Sequence, residues 1–239
     1  MSASTTLRQA FVLDLRLQVK YGFVYAAVFS ALVWEVFLYL VPADLHPVVL
    51  PYVVFGDLAI VGFFFIAAAV YFERGERTLF ALLVTPMRFR DYYTAKLAVL
   101  TLLSLLLSLV IAISGVGADF DPVALTVGVV LCTVLFLMGS FVSATPFENV
   151  SEWIMPSTVV LTVLSVPLLN YSGLWNSYLT YLVPTQGPLM LLGTAFDQAT
   201  LAPWQLAYAT IYPLASIGVL GVVSARMFDR HIVASQGKE

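Results

Sequence analysis

The sequence predicts an all-α membrane protein with six transmembrane helices. Hydrophobic residues make up 61% of the 239 residues, and charged residues make up only 10%. A soluble domain has roughly a quarter of its residues charged, so this composition indicates a chain that lies mostly within a bilayer. The apolar residues fall into runs that can cross a hydrocarbon layer of about 30 Å at about 1.5 Å per residue. The predicted spans are residues 22–41, 52–72, 97–114, 123–142, 154–169 and 206–228.

Residues 1–20, before the first span, predict an amphipathic helix that lies flat at the membrane interface. Leu7, Phe11, Leu15 and Val19 recur at every fourth position and form one apolar stripe on a helix. The second half of this stretch also alternates between apolar and polar residues, which is the pattern of a strand. An isolated strand beside a span would have no partner for its backbone groups, so we favour the interfacial helix. A loosely ordered tail is the alternative.

The charges determine the number of spans and their orientation. Residues 178–196 are apolar enough for a seventh span, but proline and glycine interrupt them at Pro184, Gly187, Pro188 and Gly193. With six spans and a cytoplasmic N-terminus, all eleven Lys and Arg residues fall on the cytoplasmic side, and the opposite loops carry no basic residue. A seventh span would break this asymmetry. Residues 171–203 are therefore predicted to be an extracytoplasmic segment of short helices or a re-entrant piece, and both termini are predicted to be cytoplasmic.

Several function classes are disfavoured by what the sequence lacks. A single cysteine, Cys132, leaves no intrachain disulfide, and the two histidines, His46 and His231, are isolated in the sequence, which argues against a metal site. No basic face points to nucleic acid. The chain contains no Gly-x4-Gly-Lys-Ser/Thr loop for a nucleotide phosphate, and no common metalloprotease or serine-hydrolase motif. We predict a single membrane domain, residues 1–239, that binds no metal or cofactor and relies on another subunit if it uses ATP.

Two acidic residues within predicted spans are candidates for a translocation path. Glu35 and Asp57 lie at similar depth, near the outer ends of the first two spans. A carboxylate in the membrane is costly, so it usually marks a path for substrate or ions. The alternative is that both are hydrogen-bonded or protonated structural groups. Phe64 is a third candidate, because an aromatic ring can stack on a flat apolar substrate.

The segment 73–96 concentrates charge between the second and third spans, with five of the eleven basic residues of the chain. A short amphipathic helix is predicted from Thr78 to Thr85. It would end there because Pro86 cannot continue a helix and disfavours the helical region for the residue before it. A charged helix between two spans must lie at the membrane surface, where another protein can contact it.

This segment resembles the cytoplasmic coupling segment of ABC-2-type transporter permeases. The resemblance is carried by Glu73, by Thr78-Leu79, by Leu82-Leu83-x-Thr85-Pro86 and by a downstream Lys96. Together with Gly-Asp-Leu-Ala-Ile-Val-Gly-Phe-Phe-Phe-Ile at 56–66 and Leu-Val-Pro-Thr-Gln at 182–186, the chain is most similar to the permease subunits of fluoroquinolone exporters. Many ABC-2 permeases carry a second acid and a glycine at positions where this chain has Gly75 and Arg77.

The resemblance implies the permease subunit of an ATP-driven exporter in the plasma membrane. A drug-like or amphipathic small molecule would be moved out of the cytoplasm or inner leaflet, beside a second permease copy or paralogue. A separate ATPase subunit would bind ATP and Mg²⁺ and would dock on the coupling segment, with Glu148 and Glu152 as a possible second contact. The alternatives are export of a lipid, glycolipid or natural product, a transporter that needs no ATPase, and a scaffold protein. The residues implied in coupling are Glu73, Arg77, Thr78, Leu79, Leu82, Leu83, Thr85 and Pro86.

Overall fold

The computed structural model describes residues 3–76, 89–228 and 230, and every regular element in them is helical. The all-α prediction is therefore confirmed for this part of the chain. Two short 3₁₀ turns, Ala43–Leu45 and Tyr178–Leu182, connect longer elements. The α-helices are α1 (Ala3–Lys20), α2 (Phe23–Leu40), α3 (His46–Gly75), α4 (Phe89–Val116), α5 (Pro122–Ala144), α6 (Val150–Ser165), α7 (Pro167–Tyr171), α8 (Gln186–Ala195) and α9 (Pro203–Phe228).

Six helical segments of the described chain are long and apolar enough to cross a membrane, as predicted. Several are longer than the apolar runs that predicted them, because a helix can continue into the polar interface at either end of the hydrocarbon layer. The second is the clearest case: α3 contains 30 residues, from His46 to Gly75. The fifth consists of α6 and α7, which are separated at Val166, just before Pro167.

Helices α3 and α5 form the centre of the bundle, and α2, α6 and α9 lie at its periphery. Phe55 of α3 meets Phe136 of α5 edge to face, with 5.4 Å between the ring centroids. Phe63, also on α3, stacks at 5.8 Å on Trp153 of α6. The central helices are thus covered by large side chains on most of their surface. The peripheral helices have broad apolar faces that no other described residue covers.

We call one end of the bundle the basal end; it contains α1, the C-terminus of α3, the start of α4, the α5–α6 turn and the end of α9. The opposite end, with the α2–α3 and α4–α5 connections and residues 171–203, is the apical end. There α8, which at about 1.5 Å per residue is too short to span a membrane, is buried against α5 and α9. Its close approach to α9 requires a glycine, since a Cβ on Gly187 would lie 2.8 Å from Ala209 Cα. The predicted short helices are present.

Helix α1 packs against α2 and α4 through one face, while its basic residues Arg16 and Lys20 stay exposed. Asp14 and Gln18 are buried, whereas Leu15 and Val19 of the predicted apolar stripe are exposed. The predicted N-terminal helix is therefore observed from Ala3 to Lys20, and its orientation brings a carboxylate into the bundle. The predicted coupling helix, 78–85, lies outside the described residues.

Candidate functional site

A buried network of charged and polar side chains lies at the basal end. The ammonium of Lys96, on α4, contacts Glu73 Oε1 of α3 at 2.6 Å and Asp14 Oδ1 of α1 at 2.9 Å. Gln18 Nε2 donates to Asp14 Oδ2 at 3.2 Å, and the Tyr92 hydroxyl donates to Glu73 Oε2. We call these five residues the basal ion cluster. The side chains of Lys96, Asp14 and Glu73 are only 1%, 7% and 3% exposed, so their mutual attraction is little screened by solvent.

Arg74, the residue after Glu73, ties the end of α3 to the turn between α5 and α6. Its guanidinium donates to the carbonyl oxygen of Thr145 at 2.9 Å and to that of Phe147. Glu148 and Glu152, the predicted second contact with an ATPase, follow in this turn and in the first turn of α6, and both are exposed. The structure thus brings the root of the coupling segment and these two acids to the same end of the molecule.

A second ionic contact joins α1 to the end of α3 at the surface. Lys20 Nζ lies 3.0 Å from both carboxylate oxygens of Glu76, and the Tyr21 hydroxyl donates to Glu76 Oε2 at 2.8 Å. The hydrogen bond from Lys20, followed by that from Tyr21, holds the pKa of the Glu76 carboxyl below its usual value. Glu76 is therefore an anion at neutral pH.

Most predicted coupling residues lie outside the described residues, and only Glu73 is placed. Glu73 is buried in the basal ion cluster. Its carboxylate binds Lys96 and Tyr92 of α4 and so connects the end of α3 to the start of α4. Since Glu73 and Lys96 are in contact, the end of α3 and the start of α4 lie side by side. The residues not placed are Arg77, Thr78, Leu79, Leu82, Leu83, Thr85 and Pro86.

The two acids of the candidate translocation path have different partners in the apical half. Asp57 of α3 is fully buried, and its Oδ1 accepts from Ser30 Oγ at 2.6 Å and from Trp34 Nε1 at 3.1 Å, both on α2. Its Oδ2 has no hydrogen-bond partner among the described residues. Glu35 is half-buried and turns toward α4, where it accepts from Ser114 Oγ at 2.6 Å. The contacts of Asp57 therefore join α2 to α3, and the contact of Glu35 joins α2 to α4. The two carboxylates are not paired with each other.

Phe64, the third candidate, lies two turns from Asp57 toward the basal end. It is half-buried and meets Phe63 and Trp153 edge to face at 5.5 and 6.0 Å. Its ring belongs to the aromatic packing between α3 and α6.

Sequence reasoning missed the partners of Glu73 within the basal ion cluster. Asp14 and Gln18 stand four residues apart and therefore share one face of α1. That spacing was a usable signal for a polar face, but the partner of this face is Lys96, 82 residues away from Asp14. The periodicity of one segment contains no information on a contact at that separation.

Comparison with known proteins gives a match over almost the whole chain. The profile of the Fluoroquinolones export permease protein family matches residues 5–236. The fluoroquinolones export permease proteins of two Mycobacterium tuberculosis strains, CDC 1551 / Oshkosh and ATCC 25618 / H37Rv, are each 44% identical over 234 residues, which cover 98% of this chain and 99% of the relative. No solved structure gives a match.

Proposed function

The chain belongs to the fluoroquinolones export permease protein family, and from this we propose that it is the membrane-spanning subunit of an ATP-driven exporter. As a member of a permease family, with six candidate spans among its described residues, it is a multi-pass transport protein rather than an enzyme. The observation that carries the proposal is the 44% identity to fluoroquinolones export permease proteins over 98% of the chain.

The ATPase of this exporter would be a separate subunit that contacts the basal end. This agrees with the absence of a phosphate-binding loop from the sequence and with the position of the segment 77–88 between α3 and α4. The described basic residues support a cytoplasmic basal end, because cytoplasmic loops are rich in Lys and Arg. These residues are Arg16, Lys20, Arg74, Arg90, Lys96, Arg226 and Arg230. ATP and Mg²⁺ would be held by the partner, and a second permease copy or paralogue would complete the path.

Movement would pass from the ATPase to the transport path along α3. This helix of 30 residues is about 45 Å long. It begins at the apical end and terminates at Arg74 and Gly75, next to residues 77–88, which are the proposed docking segment for the ATPase. Asp57 lies on the same helix and is hydrogen-bonded to Ser30 and Trp34 of α2. A displacement of the basal end of α3 would therefore change the α2–α3 contact in the apical half.

The proposed substrate is a drug-like amphipathic molecule, with a fluoroquinolone as the first candidate because the relatives are named for that class. Asp57 and Glu35 would supply negative charge to a cationic or zwitterionic substrate on its way out. Because Asp57 is fully buried behind α2, contact with substrate would require α2 to separate from α3. Phe64 would contribute an aromatic surface only if α6 moved as well.

Reconstitution tests this proposal. The purified chain, with and without its candidate ATPase, is placed in proteoliposomes, and the transport of a fluorescent fluoroquinolone is followed before and after ATP is added. We expect ATP-dependent transport only when both proteins are present. Equal transport without the ATPase would identify a self-sufficient transporter, and no transport in either case would favour a scaffold protein; both results contradict the proposal.

A further inference from the structure

The basal ion cluster connects the end of α3 to the start of α4, the two helices on either side of residues 77–88. Glu73 is in the last turns of α3 and Lys96 is in the second turn of α4, so the Nζ–Oε1 contact of 2.6 Å joins the two roots of the chain between them. Tyr92, one turn before Lys96, donates to the other oxygen of Glu73. A force on the intervening segment therefore acts on α3 and α4 together.

The same ammonium also holds α1, which is far away in sequence. Lys96 contacts Asp14 at 2.9 Å, and the second oxygen of Asp14 accepts from Gln18. Separating Lys96 from either carboxylate would leave a charge unpaired in a site with almost no solvent, which is strongly unfavourable. The three helices are consequently joined by contacts that cannot be lost one at a time without a large penalty.

The opposite face of α1 is built for a lipid surface. Val12, Leu13, Leu15 and Val19 are each at least 42% exposed, and the exposed Arg16 stands among them. Apolar side chains interspersed with basic ones are typical of a helix at the interface of an anionic leaflet. The apolar face of α1 thus points away from the bundle, and its buried carboxylate faces Lys96.

We propose that Lys96 and Asp14 are positioning residues for transport. They make α1 a third helix, besides α3 and α4, that moves when the ATPase acts on the chain. Lys96 fixes the membrane-surface helix to both roots of the segment 77–88, so that a push on this segment displaces α1, α3 and α4 as one body. This inference rests on the proposed function, because the push is that of the ATPase.

The contacts of Lys96 with Asp14 and with Glu73 connect α1, α3 and α4, and we call them the joint. The first test measures this joint and needs no ATPase. Spin labels are placed at the exposed Arg16 of α1 and Arg90 of α4 in a full-length Cys132→Ala background, and pulsed EPR gives the distance distribution in lipid. Asp14→Asn is the informative variant, because it leaves the Glu73–Lys96 pair intact and the buried charge balanced. We expect a narrow distribution with Asp14 present and a clearly broader one in Asp14→Asn. Lys96→Arg should remain narrow, since a guanidinium can contact both carboxylates.

The second test measures transport in cells that contain the ATPase. We expect Asp14→Asn to lower fluoroquinolone export by roughly tenfold, because a neutral amide oxygen binds the Lys96 ammonium more weakly than a carboxylate does, while the amount of chain and of co-purified ATPase stays at the wild-type level. Asp119→Asn is the control, because it makes the same carboxylate-to-amide change at an exposed position of the apical end and should export normally. Lys96→Arg should restore most export relative to Lys96→Met.

The outcomes separate this inference from the proposed function. An unchanged distance distribution in Asp14→Asn would overturn the joint, and a broadened distribution with normal export would overturn its role in transport. A wild-type chain that exports without any ATPase would contradict the proposed function and, with it, the positioning role, while the EPR result would still decide whether the joint exists. If Lys96→Met does not fold, Asp14→Asn and Lys96→Arg are sufficient for the decision.

Discussion

His46 Nδ1 lies 2.8 Å from the carbonyl oxygen of Gly115, a residue 69 positions later at the end of α4. On the other side of the ring, Nε2 lies 3.0 and 3.1 Å from the carbonyl oxygens of Leu38 and Val41, at the end of α2. One imidazole at the start of α3 thus connects the ends of two other helices. The three hydrogen-bond partners of the ring are all backbone carbonyl oxygens, so a ring nitrogen that carries a proton donates it to the end of α2 or of α4.

His46→Phe should loosen this end of the bundle. The change removes the contacts to carbonyl oxygens at the ends of α2 and α4, at roughly 1 kcal/mol per hydrogen bond. We expect a lower midpoint of thermal unfolding in detergent micelles. His46→Gln, whose side-chain amide can donate to part of the same set, should recover part of the loss. Equal midpoints for wild type and His46→Phe would show that water replaces the ring without cost.

The packing of α8 on α9 gives a second prediction. A methyl group added at Gly187 would lie 2.8 Å from Ala209 Cα, so Gly187→Ala must push two backbones apart. We expect a destabilisation of about 1–3 kcal/mol, the usual cost of overpacking, measured as the free energy of unfolding. Gly218→Ala is the matched control on α9, because a Cβ there meets nothing within 4 Å. That variant should be neutral or slightly stabilising, since alanine is the better helix former.

The surface contact between Glu76 and Lys20 should depend on pH in one direction only. Because the folded-state pKa of Glu76 is lowered, chiefly by the hydrogen bond from Lys20, its contribution to stability is fully present above the ordinary pKa of 4.5. It is lost as the pH falls through the lowered folded-state pKa. The midpoint of thermal unfolding should therefore be slightly lower for Glu76→Gln than for wild type at pH 7, and this difference should vanish in acid.

Asp119→Asn is the control for this titration, because it neutralises an exposed carboxylate at the apical end. It should not reproduce the pH-dependent difference. A difference for Glu76→Gln that grows as the pH falls would contradict the direction of the pKa shift.

The spans could be predicted from the sequence because the bilayer imposes one physical requirement on every spanning segment, and apolar length expresses it directly. The bounds of α3 were predicted less well. The apolar run predicted residues 52–72, but the helix extends from His46 to Gly75, since a helix continues wherever its backbone hydrogen bonds remain favourable. Short helices were predicted for residues 171–203, but the burial of α8 was not, because it depends on the close contact between Gly187 and Ala209.

The basal ion cluster could not be predicted, because it depends on which helix faces meet. The apolar stripe of α1 correctly predicted a helix. It did not predict which face packs on the bundle, because Leu15 and Val19 of the stripe are exposed in the structure. Asp14 attracted no functional interpretation. Its importance follows only from Lys96, which is brought to it by the packing of α4 against α1.

The charge of Asp57 provides a test of the translocation path. In Asp57→Asn the remaining amide oxygen can still accept from Ser30 and Trp34, so the α2–α3 contact should survive while the negative charge is lost. We expect weaker export of a cationic dye and unchanged export of an uncharged one, measured by efflux from loaded cells. Glu35→Gln, which can keep its contact with Ser114, should show the same selectivity. Unchanged export of the cation by Asp57→Asn would remove the charge argument for this residue.

The proposed docking segment gives the last prediction, which comes from the sequence. Leu82 and Leu83 belong to the apolar face of the predicted helix 78–85, and an aspartate there would place a charge in its contact with the ATPase. Leu82→Asp or Leu83→Asp should abolish transport in the proteoliposome assay and release the ATPase on purification, while expression and membrane insertion remain normal. Ala118→Asp is the control: it adds the same charge to an exposed apical connection that already contains Asp119 and Asp121, and it should transport normally. ATPase bound at the wild-type level, together with normal transport, in either leucine variant would show that this segment is not the surface on which the ATPase acts.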